Sequence, residues 1–185
     1  VKKTDRKSQI VNYLFLAGIV ALIAGNVVWV LKRDGVPGLQ LNAAAPGFVL
    51  PVVNPAPHLG DEVDLASLVG KVVVLDFFST TCRSCRNAFP ALESLYRSVD
   101  PEEVAVLVIA SEPMSAARGR QALEKFLREG SYTVPILQDD DRTFRAYGIA
   151  SIPTVVLIDR GGKVAKIWSG GVAKAELQGA VEALL

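Results

Sequence analysis

The chain has 185 residues, half of them apolar, with 20 basic and 19 acidic side chains and a formal net charge of +1. That is enough apolar material for the core of one domain with an appendage. It lacks the concentrated basic excess of a nucleic-acid-binding surface, so no nucleic-acid partner is expected.

The apolar residues are unevenly spread. Ile10 to Leu31 is a run of 22 residues without a charge. As a helix it spans about 33 Å at ~1.5 Å per residue, which matches a ~30 Å hydrocarbon core. It exceeds the ~7–15 residues of a secretory signal's apolar region, so an uncleaved transmembrane anchor is expected. Lys2, Lys3, Arg6 and Lys7 precede the run, whereas Lys32 and Arg33 follow it. That bias predicts residues 1–9 in the cytoplasm and the bulk of the chain outside it. Residues 32–45, with Gly, Pro and small side chains, read as a linker.

The folded domain is expected over 46–185. "GFVLPVV" is a short strand candidate, and "NPAPHLGDE" a loop. "KVVVLDFFS", Lys71 to Ser79, is a β-branched and aromatic run, as in a central strand covered on both faces. Ala88, Leu92, Leu95 and Val99 recur at helical spacing and predict a helix from about Arg83 to Val99. "EVAVLVIAS", Glu103 to Ser111, is a second buried strand. "SAARGRQALEKFLREG" is a helix with Gly130 as its C-terminal cap. A short strand "VPILQD", a helical turn "DRTFRAYG", a hairpin of "PTVVLID" and "KVAKIWS", and a final helix "KAELQGAVEALL" complete the chain. The order β-α-β-α-β-α-β-β-α predicts an α/β sheet with helices on both faces and an antiparallel hairpin at one edge.

The only two cysteines, Cys82 and Cys85, stand in "FFSTTCRSCRNAFP". A tetrahedral zinc site needs about four Cys or His ligands, and this chain adds only His58. A structural staple across so short a loop removes little entropy from the unfolded chain. Redox exchange is the remaining chemistry, and because the dithiol carries both electrons, no cofactor is expected. Cys82 stands where a strand gives way to a helix, a position that favours a thiolate, with Arg83 and Arg86 adding positive charge. Cys82 is therefore the expected attacking thiol, and Cys85, one turn deeper, the one that resolves a mixed disulfide.

Residues 46–185 resemble the thioredoxin fold, and within it the membrane-anchored TlpA/ResA-like thiol–disulfide oxidoreductases of bacterial envelopes. The resemblance rests on "VVVLDFF…CRSCRNAFP", with Pro90 five residues after Cys85, and on "YGIASIPTVVLID", Tyr147 to Asp159. The strand and helix around 103–130 resemble the insertion of the TlpA-like branch. Thr81 replaces the tryptophan usual before the first cysteine, and the dipeptide between the cysteines is Arg83-Ser84. "FSTTCRSC" is also similar to the MauD-like maturation factors.

The resemblance implies a thioredoxin-like α/β domain, a central mixed sheet with helices on both faces, behind one N-terminal transmembrane helix. It implies that Asp76, in the apolar strand, exchanges protons with Cys85, and that Glu112 lies beneath the cysteines. It makes Pro153 the cis-proline, with Ile152 presenting its backbone to substrate beside Cys82, Thr81 and Arg83. The partners implied are proteins with disulfides or dithiols and a membrane electron donor or acceptor. The expected location is the bacterial cytoplasmic membrane, single-pass, with the catalytic domain on the periplasmic side. The activity implied is reduction of partner disulfides, as in cytochrome c maturation. Rival readings are a MauD-like disulfide-forming factor, a peroxiredoxin-like peroxidase and a Sco-type copper chaperone. The peroxidase pattern PxxxTxxC is not met, since Leu75 and Ser79 stand at its first and fifth places.

Overall fold

The computed structural model describes residues 39–54, 56–112 and 115–185. The expected span Ile10–Leu31 and residues 1–9, expected in the cytoplasm, lie outside the described residues. Among the described residues, no helix is long and apolar enough to cross a membrane.

In chain order the strands are β1 (Val49–Pro51), β2 (Glu62–Asp64), β3 (Val72–Phe78), β4 (Val104–Ser111), β5 (Ile136–Asp139), β6 (Thr154–Ile158) and β7 (Val164–Ser169). The helices are α1 (Arg83–Tyr96), α2 (Ala116–Gly130), α3 (Arg142–Ala146) and α4 (Lys174–Glu182). The main sheet has the order β5-β4-β3-β6-β7. β3, β4 and β5 run parallel, β6 is antiparallel to β3, and β7 is antiparallel to β6. The expected hairpin at one edge is therefore β6–β7.

β3 is buried along its whole length because it is central and covered on both sides. Successive residues point to opposite faces. Val72, Val74 and Phe78 pack with Phe89 and Leu92 of α1, Leu123 and Phe126 of α2, and Leu177 of α4. Val73, Leu75 and Phe77 pack on the other face, with Phe144 of α3 and Tyr147. The crossovers β3-α1-β4 and β4-α2-β5 step in the same direction, so right-handedness puts α1 and α2 on one face. By the same alternation Asp76 points to the α1 face, between Val74 and Phe78.

Three local features differ from the sequence expectation. The first helix ends at Tyr96, with Arg97 as its cap. Gly130 is the last helical residue of α2, and Ser131 takes the left-handed capping conformation, φ 52°. Gly130 serves close approach instead: a Cβ there would lie 1.9 Å from the Tyr132 ring. Finally, β1 and β2 pair as an antiparallel ribbon, Leu50 opposite Val63, followed by a 3-10 helix over Leu65–Leu68. Each of these strands has one inward side chain, too few for a period-2 signal.

Segments on the N-terminal side of β3 also reach the sheet edges. Asn42 N–H donates to Val164 O at 2.8 Å, and Val164 N–H to Ala43 O at 2.9 Å, so part of the expected linker pairs with β7. At the opposite edge Val53 N–H donates to Ile136 O at 2.8 Å, and the Asn54 side chain accepts from Ile136 N–H at 2.9 Å.

Candidate active site

The C-terminal end of β3 delivers the chain through Ser79–Thr81 to the start of α1. Cys82 is the N-cap: its backbone is extended, and its Sγ accepts the N–H of Cys85 at 3.1 Å. Cys82 and Cys85 are joined as a disulfide, with their Cα atoms 5.3 Å apart. Cys82 is partly exposed, whereas Cys85 is wholly buried in the core behind it. Only Cys82 is therefore open to an incoming sulfur. When reduced, its thiolate sits at the positive end of the α1 dipole, with a backbone N–H already aimed at it.

Two further groups meet Cys82. Ser84 Oγ lies 3.3 Å from its Sγ, within reach to donate to a thiolate. Ile152 O lies 3.8 Å from the same sulfur, carried by the loop before β6, and the Ile152–Pro153 peptide is cis. Pro153 is buried, and its carbonyl accepts the N–H of Gly170 at 2.8 Å.

Asp76 lies beneath this surface, 4% exposed. Its Oδ1 has no hydrogen-bond partner in the protein. Burial pushes its carboxyl up to about 8, because the charged form loses its hydration and gains no compensating donor. Asp76 faces a small cavity of about 20 Å³, walled by Ala88 and Leu92 of α1, Pro153 and Val155. That volume accommodates one water molecule. Ala88, in its wall, is one turn beyond Cys85 on α1.

Glu112, expected beneath the cysteines, holds the loop that leads into Cys82. Its Oε1 accepts the N–H of Thr80 at 2.6 Å, and its Oε2 accepts the Thr80 hydroxyl at 2.7 Å. The carboxylate thus clasps the loop ahead of Cys82 and acts on the site through that loop. Gly119 of α2 makes room for it, since a Cβ there would be 3.0 Å from Glu112 Cβ. Thr81 is exposed, its N–H donating to Ser79 Oγ at 3.3 Å. Arg83 and Arg86 are exposed and lack a carboxylate partner among the described residues. His58 is exposed on the loop between β1 and β2.

Glu112→Gln is expected to loosen this clasp, since an amide offers one acceptor where the carboxylate offers two. The cost of one lost charged acceptor at a partly exposed site is about 1 kcal/mol. For a chain of this size that lowers the melting temperature by roughly 2–4 °C, read by circular dichroism. An unchanged melting temperature would show that the clasp contributes nothing.

Sequence reading missed Ser84, Thr80 and Glu93. Glu93 anchors α1: it is buried and accepts from Thr133 N–H at 2.9 Å, Thr133 Oγ1 at 2.7 Å, Val134 N–H at 2.9 Å and Arg97 Nε at 2.6 Å. Burial raises its carboxyl, but these hydrogen bonds outweigh it and hold the group below its ordinary value. The available signal was position: Glu93 stands four residues after Phe89, on the buried stripe of α1.

Comparison with known proteins matches this geometry. The model of the AhpC/TSA family matches residues 41–167. The thiol-disulfide oxidoreductase ResA of Geobacillus thermodenitrificans is 32% identical over 148 residues, covering 79% of each chain. ResA of Bacillus subtilis is 27% identical and covers 94% of this chain and 90% of that protein. Among solved structures, a thiol-disulfide isomerase from Corynebacterium glutamicum superposes with a TM-score of 0.64 at 27% identity, covering 76% of this chain and 96% of that one. The α/β domain is therefore thioredoxin-like.

Proposed function

The chain belongs to the AhpC/TSA family and is a thiol–disulfide oxidoreductase of the ResA type, and we propose that it reduces disulfides of partner proteins on the outer side of the cytoplasmic membrane. The observation that carries the reading is the asymmetry of the pair: Cys82 Sγ is accessible at the start of α1, 3.8 Å from Ile152 O, with Cys85 buried behind it.

In the reduced protein the Cys82 thiolate attacks one sulfur of the partner's disulfide. That S–S bond breaks, a Cys82–partner bond forms, and the partner's other sulfur leaves as a thiolate that takes up a proton. The Cys85 thiol then gives its proton to the Asp76 carboxylate. The Cys85 thiolate attacks Cys82 Sγ, expels the partner's remaining sulfur and closes the Cys82–Cys85 disulfide. Two electrons pass to the partner. A carboxyl held near 8 both gives and takes protons close to neutral pH, which suits this relay. Ile152 offers its carbonyl to the partner's backbone beside the reacting sulfur. A membrane electron donor returns the two electrons. Apocytochromes c, whose CxxCH cysteines need to be reduced before haem attachment, are one partner class with the right chemistry.

The test is equilibration of the full chain in dithiothreitol or glutathione buffers, reading the Cys82–Cys85 state. Arg83 and Arg86 raise the potential by favouring the thiolate, and Asp76 opposes them whenever it is charged. The expected value lies between about −270 and −180 mV. A value near ~−120 mV overturns the reductase direction and makes the protein a disulfide donor, the MauD-like alternative. The location rests on the uncharged run Ile10–Leu31 and its four-to-two basic bias. A reporter fused after residue 45 is expected to work only if it is a reporter active outside the cytoplasm.

A further inference from the structure

The first turn of α1 breaks a local rule. A helix N-terminus carries partial positive charge, so acids belong there and cations are disfavoured. α1 has no acid in its first turn, yet Arg83 is its first residue and Arg86 its fourth. Neither guanidinium has an ion pair or donates a hydrogen bond among the described residues. Arg86 lies over the Phe126 ring, 5.9 Å from its centroid, which steadies it without using its donors. Neither acid of the site pairs with them: the Glu112 oxygens accept from Thr80, and Asp76 is buried. Two such cations held against the dipole, in the first helical turn after the reacting cysteine, have a use outside the fold.

We propose that Arg83 and Arg86 form a cationic rim that selects partner proteins whose reactive disulfide is flanked by Asp or Glu. The inference rests on the oxidoreductase reading and names its substrate class. The rim faces whatever segment approaches Cys82, and a carboxylate next to the partner's cysteine meets the free forks of both arginines. A rival role for the same residues is stabilisation of the Cys82 thiolate. That role changes the rate equally for every disulfide, whereas a docking rim discriminates by the charge of the substrate.

The experiment uses the full chain, reduced beforehand, and three synthetic peptide disulfides identical except for Glu, Gln or Lys beside the cysteines. The second-order rate of oxidation of Cys82–Cys85 by each peptide is divided by the rate of neutral dithiothreitol with the same peptide. The Glu peptide is expected to exceed the Lys peptide by about fivefold in dilute buffer, which is about 1 kcal/mol at 1.4 kcal/mol per decade. The preference should fade between about 0.01 M and 1 M salt, as the Debye length falls from ~30 to ~3 Å. Arg83→Gln with Arg86→Gln should abolish the preference, and Arg83→Glu with Arg86→Glu should reverse it. Equal normalised rates for the three peptides, or a preference that survives in the double variant, would overturn the proposal and leave the oxidoreductase reading standing. A chain oxidised by none of the three would sink both.

Discussion

Cys85→Ser is expected to hold one partner molecule per chain as a mixed disulfide, and turnover should stop. The attacking sulfur stays on the accessible side of the α1 N-terminus, so the first exchange proceeds. The wholly buried second sulfur, the one group placed to reach Cys82 from the protein side, is replaced by a hydroxyl that cannot displace the partner. Cys82→Ser should capture nothing, because no accessible thiol remains among the described residues. In both variants the steady-state rate should drop on the order of a thousandfold or more, the scale on which removal of an essential nucleophile is felt. Non-reducing electrophoresis and mass spectrometry separate the two outcomes. A mixed disulfide that accumulates in Cys82→Ser and not in Cys85→Ser would exchange the two roles.

Asp76→Asn should yield a protein that gains stability over the unaltered chain as pH rises. The sign follows from the carboxyl's two environments. In the unfolded chain it titrates near ~3.9, and in the fold burial moves it up to about 8. Between those values the folded state binds the extra proton, so raising the pH costs stability, and the loss is complete above the folded value. A difference of that size is on the order of 5 kcal/mol, or roughly 10 °C or more in melting temperature. The asparagine variant has no such group. Its advantage should be absent near pH 4, grow through neutrality and level off above about pH 8. The same substitution should remove an inflection near pH 8 from the rate of disulfide exchange, since the relay to Cys85 loses its acceptor. Parallel melting curves for the two proteins at every pH would show that Asp76 is not the buried acid described here.

How much of this was readable beforehand depended on the range of the signal. The apolar run of β3 announces a central strand, and the one acid that interrupts it, on the face of Val74 and Phe78, has nowhere to go but the core. The cysteine spacing at a strand-to-helix junction carries the chemistry. These are local patterns of period two or 3.6. The Thr80–Glu112 clasp joins residues 32 apart through a parallel strand pair, and nothing around Glu112 points back to Thr80. Ser84 looks like an ordinary helix-start residue until its hydroxyl is seen 3.3 Å from the sulfur. Gly130 carries the composition of a cap, and only the Tyr132 ring reveals why a side chain is excluded. Such contacts are set by the packing of elements, which periodicity does not encode.

The pairing of Asn42–Ala45 with the start of β7 has a bearing on how copies of this chain meet at their sheet edges. A sheet exposes unpaired backbone groups along its two outermost strands, and such rims template association between copies. Here β5 is shielded by Val53 and Asn54, and β7 by the stretch that enters the domain. A fragment cut at residue 46 would keep every catalytic side chain yet bare the β7 rim at Val164. A fragment that begins at residue 39 keeps that guard. The shorter fragment is therefore expected to aggregate at concentrations the longer one tolerates.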